Sequence, residues 1–408
     1  MRQDVIARQA RAMQEAGLDA VVSISPENFA YVTGFLSPTQ PLMRWRHAMA
    51  LVTADAAVAL VVVDMEASTV RAKSPPGTEI AVWREFEFDA MAVLADLLRK
   101  RGLASARIGI ELDYLPAGDF AALSEALPQA RFAVAQAMLA RLREVKTPAE
   151  IDLLRRLSRI ADRAITEAYR TVSAGSSEMD IAAALTRGIY EQGAEYFKLM
   201  IVATGERSVF PNVGPTERVL ARGDVCRVEI FPIIGGYHAG VCRTAAVGAP
   251  PPHAERIWAN LTACKHLLLD AIKPGASSRA IYQLYLDKVG ELGLPPISFI
   301  GHGIGLGLHE DPYLGPTADR ALEPGMVLGI EPLIYQTGFG FGMQNKDMVL
   351  VTPDGCELMS DYLDTDKLLI VGSDQPSTTL DCHHPRMRVI QYSRARGGEA
   401  TGCPLSRA

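Results

Sequence analysis

Two histidines on a glycine-rich segment are the residues of this chain best suited to move protons. His302 lies in the run Gly-His-Gly-Ile-Gly, and His309 follows seven positions later, just before Glu-Asp-Pro. Imidazole titrates near neutral pH, so these side chains can act as general bases or acids. A lone histidine is more often a core residue, but glycines leave room for a ligand to approach the backbone. We therefore predict that both histidines line an active cleft.

Two glutamates and a lysine complete the set of candidate reactive groups. Glu229 lies in an apolar, strand-like run, on the same face as Arg227 because side chains alternate along a strand. Glu331 follows another apolar run, where a buried carboxylate is costly unless it is paired. Lys346 stands directly before a third apolar run that begins with Asp347. An ammonium group near two carboxylates offsets their mutual repulsion.

Taken in order, these segments resemble the catalytic half of the pita-bread fold family, which includes methionine aminopeptidase, prolidase, aminopeptidase P and creatinase. Most members bind two metal ions through Asp, Asp, His, Glu and Glu. The matching positions here are Glu229, Gly240, His302, Glu331 and Lys346. Glycine has no ligand atom and lysine brings its own positive charge. The resemblance thus implies an intact fold with a dismantled metal site, in which Lys346 replaces the missing ions electrostatically.

One alternative at this position stays open. A shift of the alignment by one residue would turn Lys346 to the surface and Asp347 inward, because side chains of a strand alternate between its faces. The chemistry assigned to the cleft depends on which of the two residues faces it.

The resemblance also implies a set of substrate contacts around a hairpin. Hydrolytic relatives carry a histidine shortly before it, where this chain reads Phe-Pro-Asn-Val. Creatinase, which is metal-free, shares the Phe-Pro and Gly-Tyr features of the hairpin but uses that histidine, so creatine is not the expected substrate. The candidate substrate-binding residues are Asn212, Tyr237, His238, Cys242 and Arg243.

These residues predict a metal-independent hydrolase without a cofactor. It would cleave a C–N bond of the amidine, urea or cyclic amide type in a small polar molecule, as the metal-free ectoine hydrolase does. His302 or His309 would serve as base and acid, and Glu229 and Glu331 would orient water or substrate. Lys346 would keep both carboxylates ionised and stabilise a developing oxyanion.

Two other functions remain open. The first is a metal-dependent Xaa-Pro aminopeptidase or dipeptidase with one Mn, Co or Zn ion on Glu229, His302 and Glu331, since three such ligands can suffice. The second is a catalytically inactive pita-bread domain that binds peptides or proteins.

The elements that position these residues fall into two domains and a tail. Residues 1–142 alternate helical and strand patterns, which predicts an α/β domain of the creatinase/prolidase N-terminal type. Thr147, Pro148 and Glu150 predict a capped helix start at the boundary. Residues 143–372 resemble the α+β pita-bread catalytic domain of creatinase and the aminopeptidases. Residues 373–408, which contain Cys382-His383-His384, are rich in Ser, Thr, Pro, Arg and Gly and predict a surface tail.

Composition narrows the class of partner. A net charge of -6 over 408 residues gives no reason to expect nucleic acid or an anionic membrane. The N-terminus lacks the pattern of a secretory signal, and six scattered cysteines predict free thiols in a reducing cytoplasm. The resemblance implies a homodimer that acts on a small-molecule substrate. Arg44, Arg46 and His47 are candidates for the contact in which an N-terminal domain closes its partner's cleft.

Overall fold

The computed structural model describes residues 1–87 and 89–372. The predicted tail at residues 373–408, with Cys382, His383 and His384, lies outside the described residues. No helix in the described part of the chain is long and apolar enough to cross a membrane. The division into domains at residues 142 and 372 stays a prediction.

The first part of the chain forms a six-stranded mixed sheet flanked by helices. Its strands run in the order β4-β3-β2-β1-β5-β6, in which β1 and β2 and then β2 and β3 pair antiparallel and the other neighbours pair parallel. The helices and strands are α1 (Gln3–Glu15), β1 (Ala20–Ser23), α2 (Pro26–Thr33), β2 (Met49–Thr53), β3 (Val58–Val63), α3 (Asp64–Lys73), β4 (Glu79–Trp83), α4 (Ala90–Lys100), β5 (Arg107–Ile110), α5 (Ala117–Ala126), β6 (Arg131–Val134) and α6 (Gln136–Glu144). The prediction of an α/β N-terminal domain is confirmed.

The second part packs two helix pairs against sheets in which all neighbouring strands pair antiparallel except β10 and β18, which pair parallel. One sheet has the order β18-β10-β8-β7 with β9 on β8, another has β12-β11-β13-β16-β17, and β14 pairs with β15. The elements are α7 (Pro148–Arg170), α8 (Glu178–Glu191), β7 (Tyr196–Thr204), a 3-10 helix (Gly205–Val209), β8 (Val225–Ile234), β9 (Tyr237–His238), β10 (Val241–Val247), α9 (Ala254–Ala271), α10 (Ser278–Glu291), β11 (Gly301–Gly303), β12 (Glu310–Leu314), β13 (Val327–Ile330), β14 (Leu333–Ile334), β15 (Met343–Gln344), β16 (Asp347–Thr352), β17 (Gly355–Leu358) and β18 (Leu369–Val371). The prediction of an α+β pita-bread domain is confirmed.

Local sequence explains where the long helix α7 begins. The Thr147 side chain accepts a hydrogen bond from the Glu150 backbone N–H, and the Glu150 carboxylate accepts one from the Thr147 backbone N–H. Pro148 occupies the first turn, where its missing N–H costs no helical hydrogen bond. Glu150 also accepts a hydrogen bond from the Tyr237 hydroxyl at 2.7 Å, so this cap ties the helix to the hairpin that carries part of the candidate site.

Candidate active site

Four strands bring the candidate reactive groups to one buried place. β8 carries Glu229 inward, β13 ends just before Glu331, and Lys346 lies directly before β16. β10 pairs with β8, with Cys242 of β10 opposite Glu229. Cys242 also forms a β-bridge with Lys346, which holds the lysine backbone close to the strand that carries Glu229. His302 lies in the middle of β11, between β12 and β13.

The ammonium of Lys346 stands at the centre of this cluster. Its Nζ lies 3.1 Å from Glu229 Oε1 and 3.3 Å from Glu331 Oε2, and the lysine side chain is only 2% exposed. It also lies 4.7 Å from the centroid of the Phe231 ring. Burial opposes the lysine charge, but the two carboxylates outweigh burial and raise the pKa of Lys346. The lysine is therefore a cation at neutral pH.

His302 is held as a neutral imidazole. Its Nδ1 donates to the Gly303 carbonyl oxygen at 2.8 Å, which leaves the lone pair of Nε2 facing Lys346 Nζ at 3.4 Å. Burial and then the nearby ammonium lower the pKa of His302 well below its ordinary value. His302 can therefore accept a proton or a hydrogen bond at Nε2, but it is not a cationic acid at neutral pH.

His309 extends the cluster toward the opening of the cleft. Its ring stacks on that of His302 with a centroid separation of 3.6 Å, and Phe299 and Tyr313 flank it at 5.8 and 6.0 Å. Burial and Lys346 lower the pKa of His309 to about 4. The expectation that either histidine titrates near neutrality is thus wrong here, because a buried ammonium disfavours a second positive charge.

Glu331 has the opposite shift. Its burial raises the pKa of its carboxyl above the ordinary range, and Lys346 lowers it by less than burial raises it. Oε2 accepts a hydrogen bond from Gln344 Nε2 at 3.2 Å, whereas Oε1 has no hydrogen-bond partner and lies 3.4 Å from His302 Nε2. Lys346 favours the ionised form of Glu331 but does not fully offset its burial, and the prediction that the lysine keeps both carboxylates ionised stays a prediction. A carboxyl with a raised pKa beside a neutral imidazole can exchange a proton with it.

The loop that carries His309 is fixed by a buried ion-pair network. Glu310 accepts a hydrogen bond from the Gly307 backbone N–H at 2.9 Å and pairs with Arg143 and Lys146, each at 3.0 Å. Burial opposes ionisation of Glu310, but the two cations lower its pKa to about 2. The segment between the two domains thus holds the histidine loop in place.

Asp347 faces away from the cleft, on the other side of the strand from Lys346. It pairs with Arg243 at 2.8 Å and with Lys265 at 2.7 Å, and Arg243 in turn pairs with Asp162 at 2.8 Å. The alternative in which Lys346 faces solvent is therefore excluded. Arg243 is fully buried in these pairs behind the cleft, so the prediction that it binds substrate is wrong.

The other predicted substrate contacts occupy different environments. The Tyr237 hydroxyl is engaged with Glu150, which is a structural role. His238 is buried, its Nδ1 lies 3.2 Å from the Gly305 carbonyl oxygen, and its Nε2 has no hydrogen-bond partner. Cys242 is buried next to Glu229 on the paired strand. Asn212 is exposed on the segment between the 3-10 helix and β8. Substrate roles for these residues stay predictions.

Two residues of the site were not assigned a role from the sequence. Arg227 donates to Gln344 Oε1 at 3.1 Å, and Gln344 in turn contacts Glu331. The sequence did contain a signal for Arg227: it lies two positions before Glu229 in the same strand, so both side chains are on one face. Phe231, two positions after Glu229, fills the space above Gly240, where a Cβ atom would collide with its ring.

The donor chemistry of the cluster bears on metal binding. In the part of the chain that the structure describes, no group of three or more His, Cys, Asp or Glu side chains could hold a metal ion. The Lys346 ammonium lies between the two glutamates, and Phe231 excludes a longer side chain at position 240.

Comparisons with known proteins agree with this architecture. Residues 152–353 match the family model described as metallopeptidase family M24, and residues 6–145 match the creatinase/prolidase N-terminal domain. A Mycobacterium bovis protein named "Probable dipeptidase PepE" is 30% identical over 86% of this chain and 92% of its own length. Among solved structures, an Xaa-Pro dipeptidase from Bacillus anthracis has a TM-score of 0.78 and 27% identity, covering 90% of this chain and 99% of its own. The dipeptidase PepE from Mycobacterium ulcerans also has a TM-score of 0.78 and 27% identity, covering 90% and 97%.

These findings correct two predictions. The relatives carry dipeptidase names, which overturns a hydrolase specific for amidines, ureas or cyclic amides and favours the peptidase alternative. The matching family is one of metallopeptidases, which overturns the expectation of an enzyme without a cofactor. The predicted hydrolase of C–N bonds is confirmed in the coarser sense that includes peptide bonds.

Proposed function

Because the chain belongs to metallopeptidase family M24 and carries a creatinase/prolidase N-terminal domain, we propose that it is a peptidase that hydrolyses short peptides. The observation that carries the proposal is the buried cluster of Glu229, His302, Glu331 and Lys346 beside the exposed His309. Such a set of coupled titratable groups in a cleft is typical of a catalytic site rather than of a passive binding surface.

The substrates to try first are Xaa-Pro dipeptides and other dipeptides. Support comes from the dipeptidase names of relatives that match along most of this chain. The aromatic rings of Phe299 and Tyr313 beside His309 offer an apolar wall for the flat ring of a proline or a similar side chain.

The family implies divalent metal, but the residues of this chain do not fit a pair of ions. Glycine at position 240 supplies no ligand, and the Lys346 ammonium takes the space that the remaining donors would share. The three donors left are Glu229, His302 and Glu331, and both carboxylates already pair with the lysine. No step of the reaction is therefore assigned to a metal ion, and the metal requirement has to be measured.

Four groups of the chain itself can contribute to peptide hydrolysis. Glu331 has a raised pKa and can take a proton from water and return it to the leaving nitrogen. His302 Nε2, 3.4 Å from Glu331 Oε1, can accept a hydrogen bond from the protonated carboxyl and so orient it. The Lys346 ammonium can stabilise the negative charge that develops on the carbonyl oxygen. His309 lies nearer the opening, where it can contact the substrate.

The proposal is tested by assaying the purified protein against a panel of Xaa-Pro and other dipeptides, with and without added Mn²⁺, Co²⁺ or Zn²⁺. We expect release of free amino acids and loss of that release in His302→Ala. The exposed variant Glu255→Gln on α9 serves as the matched control and should keep full activity. Absence of cleavage in every condition would leave the inactive binding module as the better description.

The positive charge of Lys346 leads to a separate prediction about the affinity of the site for divalent metal ions. Replacing it by Lys346→Glu removes the cation from among the donors and adds a carboxylate, so the variant should bind Mn²⁺ or Zn²⁺ more tightly than the wild type. Isothermal titration calorimetry measures both affinities directly. Equal affinities would mean that Lys346 does not control access of ions to Glu229 and Glu331.

We further propose that the peptidase works as a cytoplasmic homodimer. Reduced thiols support the compartment, since Cys226, Cys242, Cys264 and Cys356 are all free in the described residues. Exposed Leu42 supports an association surface on the N-terminal domain. The assembly is checked by light scattering on the eluting protein, where a monomeric mass at micromolar concentration contradicts the dimer.

A further inference from the structure

We propose that Arg227 binds the free C-terminal carboxylate of the substrate and thereby restricts the enzyme to dipeptides. The inference rests on the proposed peptidase function and names the substrate class of the same cleft. None of the substrate-binding residues predicted from the sequence has been assigned to the C-terminal carboxylate, and this role is the one we propose for Arg227.

Arg227 differs from the other buried cations of the catalytic part of the chain. It is fully buried, yet no aspartate or glutamate of residues 1–87 and 89–372 forms an ion pair with it. The other buried cations each have an acidic partner: Lys146 with Glu310, Arg243 with Asp162 and Asp347, Lys265 with Asp347, and Lys346 with Glu229 and Glu331. A buried charge without a counter-charge is unfavourable by several kcal/mol. An anion that reaches Arg227 would be bound strongly.

The guanidinium is held at present by neutral groups only. Nη1 donates to Gln344 Oε1 at 3.1 Å, and Nη2 donates to the backbone carbonyls of Phe210 and of Pro211, the latter at 3.0 Å. The guanidinium carbon lies 5.0 Å from the centroid of the Tyr335 ring. Nε is buried and has no hydrogen-bond partner. The planar guanidinium is therefore held in a fixed orientation, but its Nε–H has no acceptor. This arrangement suits a carboxylate, which accepts two parallel hydrogen bonds from a guanidinium.

The position of Arg227 fits the end of a dipeptide. Gln344 alone separates the guanidinium from Glu331, because its amide accepts from Arg227 and donates to Glu331. In a dipeptide the free carboxylate is one residue away from the peptide bond that is cut, so both can be engaged together. In a longer peptide the free carboxylate lies farther along the chain, and the nearest group is a neutral amide.

A short surface segment controls access to the guanidinium. Phe210 and Asn212 are exposed, and Phe210 and Pro211 supply the two carbonyls that cover Nη2. The segment is anchored at both sides by the buried Glu178, which accepts backbone hydrogen bonds from Thr204 and Thr216, each at 2.9 Å. A carboxylate can replace the two carbonyls on Arg227 only if the Phe210–Pro211 backbone shifts between these anchors, and the proposal includes this shift.

The experiment compares a dipeptide with its C-terminal amide in the wild type, Arg227→Gln and Arg227→Lys. The wild type should favour the free acid by about 10- to 100-fold in kcat/KM, as expected for a hydrogen bond to a charged group. Arg227→Gln should lose this preference through a higher KM for the acid, with little change for the amide. Arg227→Lys, which keeps the charge but not the fork, should retain part of it. Arg163→Gln, an exposed arginine on α7, is the matched control and should behave as wild type.

Two outcomes overturn the inference. If the wild type treats acid and amide alike, Arg227 does not bind the carboxylate, and this result needs no variant to fold. If Arg227→Gln slows both substrates equally, the arginine only supports the surface segment.

A failure of the proposed function is distinguishable from a failure of this inference. If no peptide is cleaved, isothermal titration calorimetry with the same acid and amide still decides the matter. Binding that favours the acid and loses that preference in Arg227→Gln supports the inference, whereas equal binding or no binding of the two ligands overturns it.

Discussion

Two buried charge clusters lie back to back at the start of β16, and they differ in how completely their charges are balanced. The rear cluster contains Asp162 and Asp347 against Arg243 and Lys265, two negative and two positive groups that sum to zero. The cleft cluster sets Lys346 against Glu229 and Glu331, which sums to -1 when both carboxylates are ionised.

The hydrogen-bond partners of the carboxylates separate a structural cluster from a reactive one. In the rear cluster burial opposes ionisation of Asp347, but Arg243 and then Lys265 lower its pKa to about 2, so it stays charged at every ordinary pH. In the cleft cluster the single cation cannot offset the burial of Glu331, and the pKa of that carboxyl is raised. Burial also raises the pKa of Asp162 in the rear cluster, but both oxygens of that carboxylate are occupied, one by Arg243 and the other by the Tyr362 backbone N–H. Glu331 Oε1, in contrast, has no hydrogen-bond partner and lies 3.4 Å from His302 Nε2, so this carboxyl is placed to take up and release a proton.

The strongest test of this comparison removes the unbalanced carboxylate. Glu331→Gln should lower kcat by about 10²- to 10⁴-fold, because the amide cannot transfer the proton. The free energy of unfolding should fall little, since Lys346 keeps Glu229 as its partner. Initial rates and urea unfolding measure the two quantities. A variant with near wild-type kcat would show that the raised pKa of Glu331 has no part in the reaction.

The converse change removes one acid from the balanced cluster. Asp162→Asn leaves the buried Arg243 with a single shared carboxylate, so we expect a loss of about 3–5 kcal/mol in the free energy of unfolding. The kcat/KM of the folded fraction should stay as in the wild type, because Asp162 lies behind the cleft. Loss of activity without loss of stability would mean that the two clusters are not separate units.

The smallest expected effect concerns the pH dependence of activity. Since the pKa of His309 is lowered to about 4 from 6.5, its ring is neutral above about pH 4 and becomes protonated only below it. We expect kcat/KM to fall on the acid side near pH 4 rather than near 6.5. Lys346→Met removes one of the two causes of the lowered pKa and should move this fall to higher pH. An unmoved profile would show that another group sets it.

Much of the fold could be predicted from sequence because it depends on local patterns. The alternating helical and strand patterns of residues 1–142 form the α/β domain, and the Thr147 cap forms as its residue types indicate. The cleft cluster could also be predicted in part, because His302 and His309 lie on one glycine-rich segment. In the structure the centroids of their two rings are 3.6 Å apart.

The incorrect predictions concern the groups that surround a side chain in the folded protein. These groups come from distant segments, so a local sequence pattern does not reveal them. Alternation along a strand places Arg243 on a face, but only the packing of α7 and α9 shows that Asp162 and its neighbours occupy that face. The pKa values of His302 and His309 likewise depend on an ammonium that comes from a distant segment. The sequence places Arg227 on the same strand face as Glu229. Only the folded structure shows that its described hydrogen-bond partners are neutral groups.

The contact between Phe231 and Gly240 also limits how this chain can evolve. An aspartate introduced at position 240 alone would collide with the ring, and a carboxylate introduced at position 346 alone would face Glu229 and Glu331 without a cation. Substitutions at residues in contact are not independent in their effects. Carboxylates at positions 240 and 346 therefore require a coordinated change, in which the ring at position 231 gives way as well.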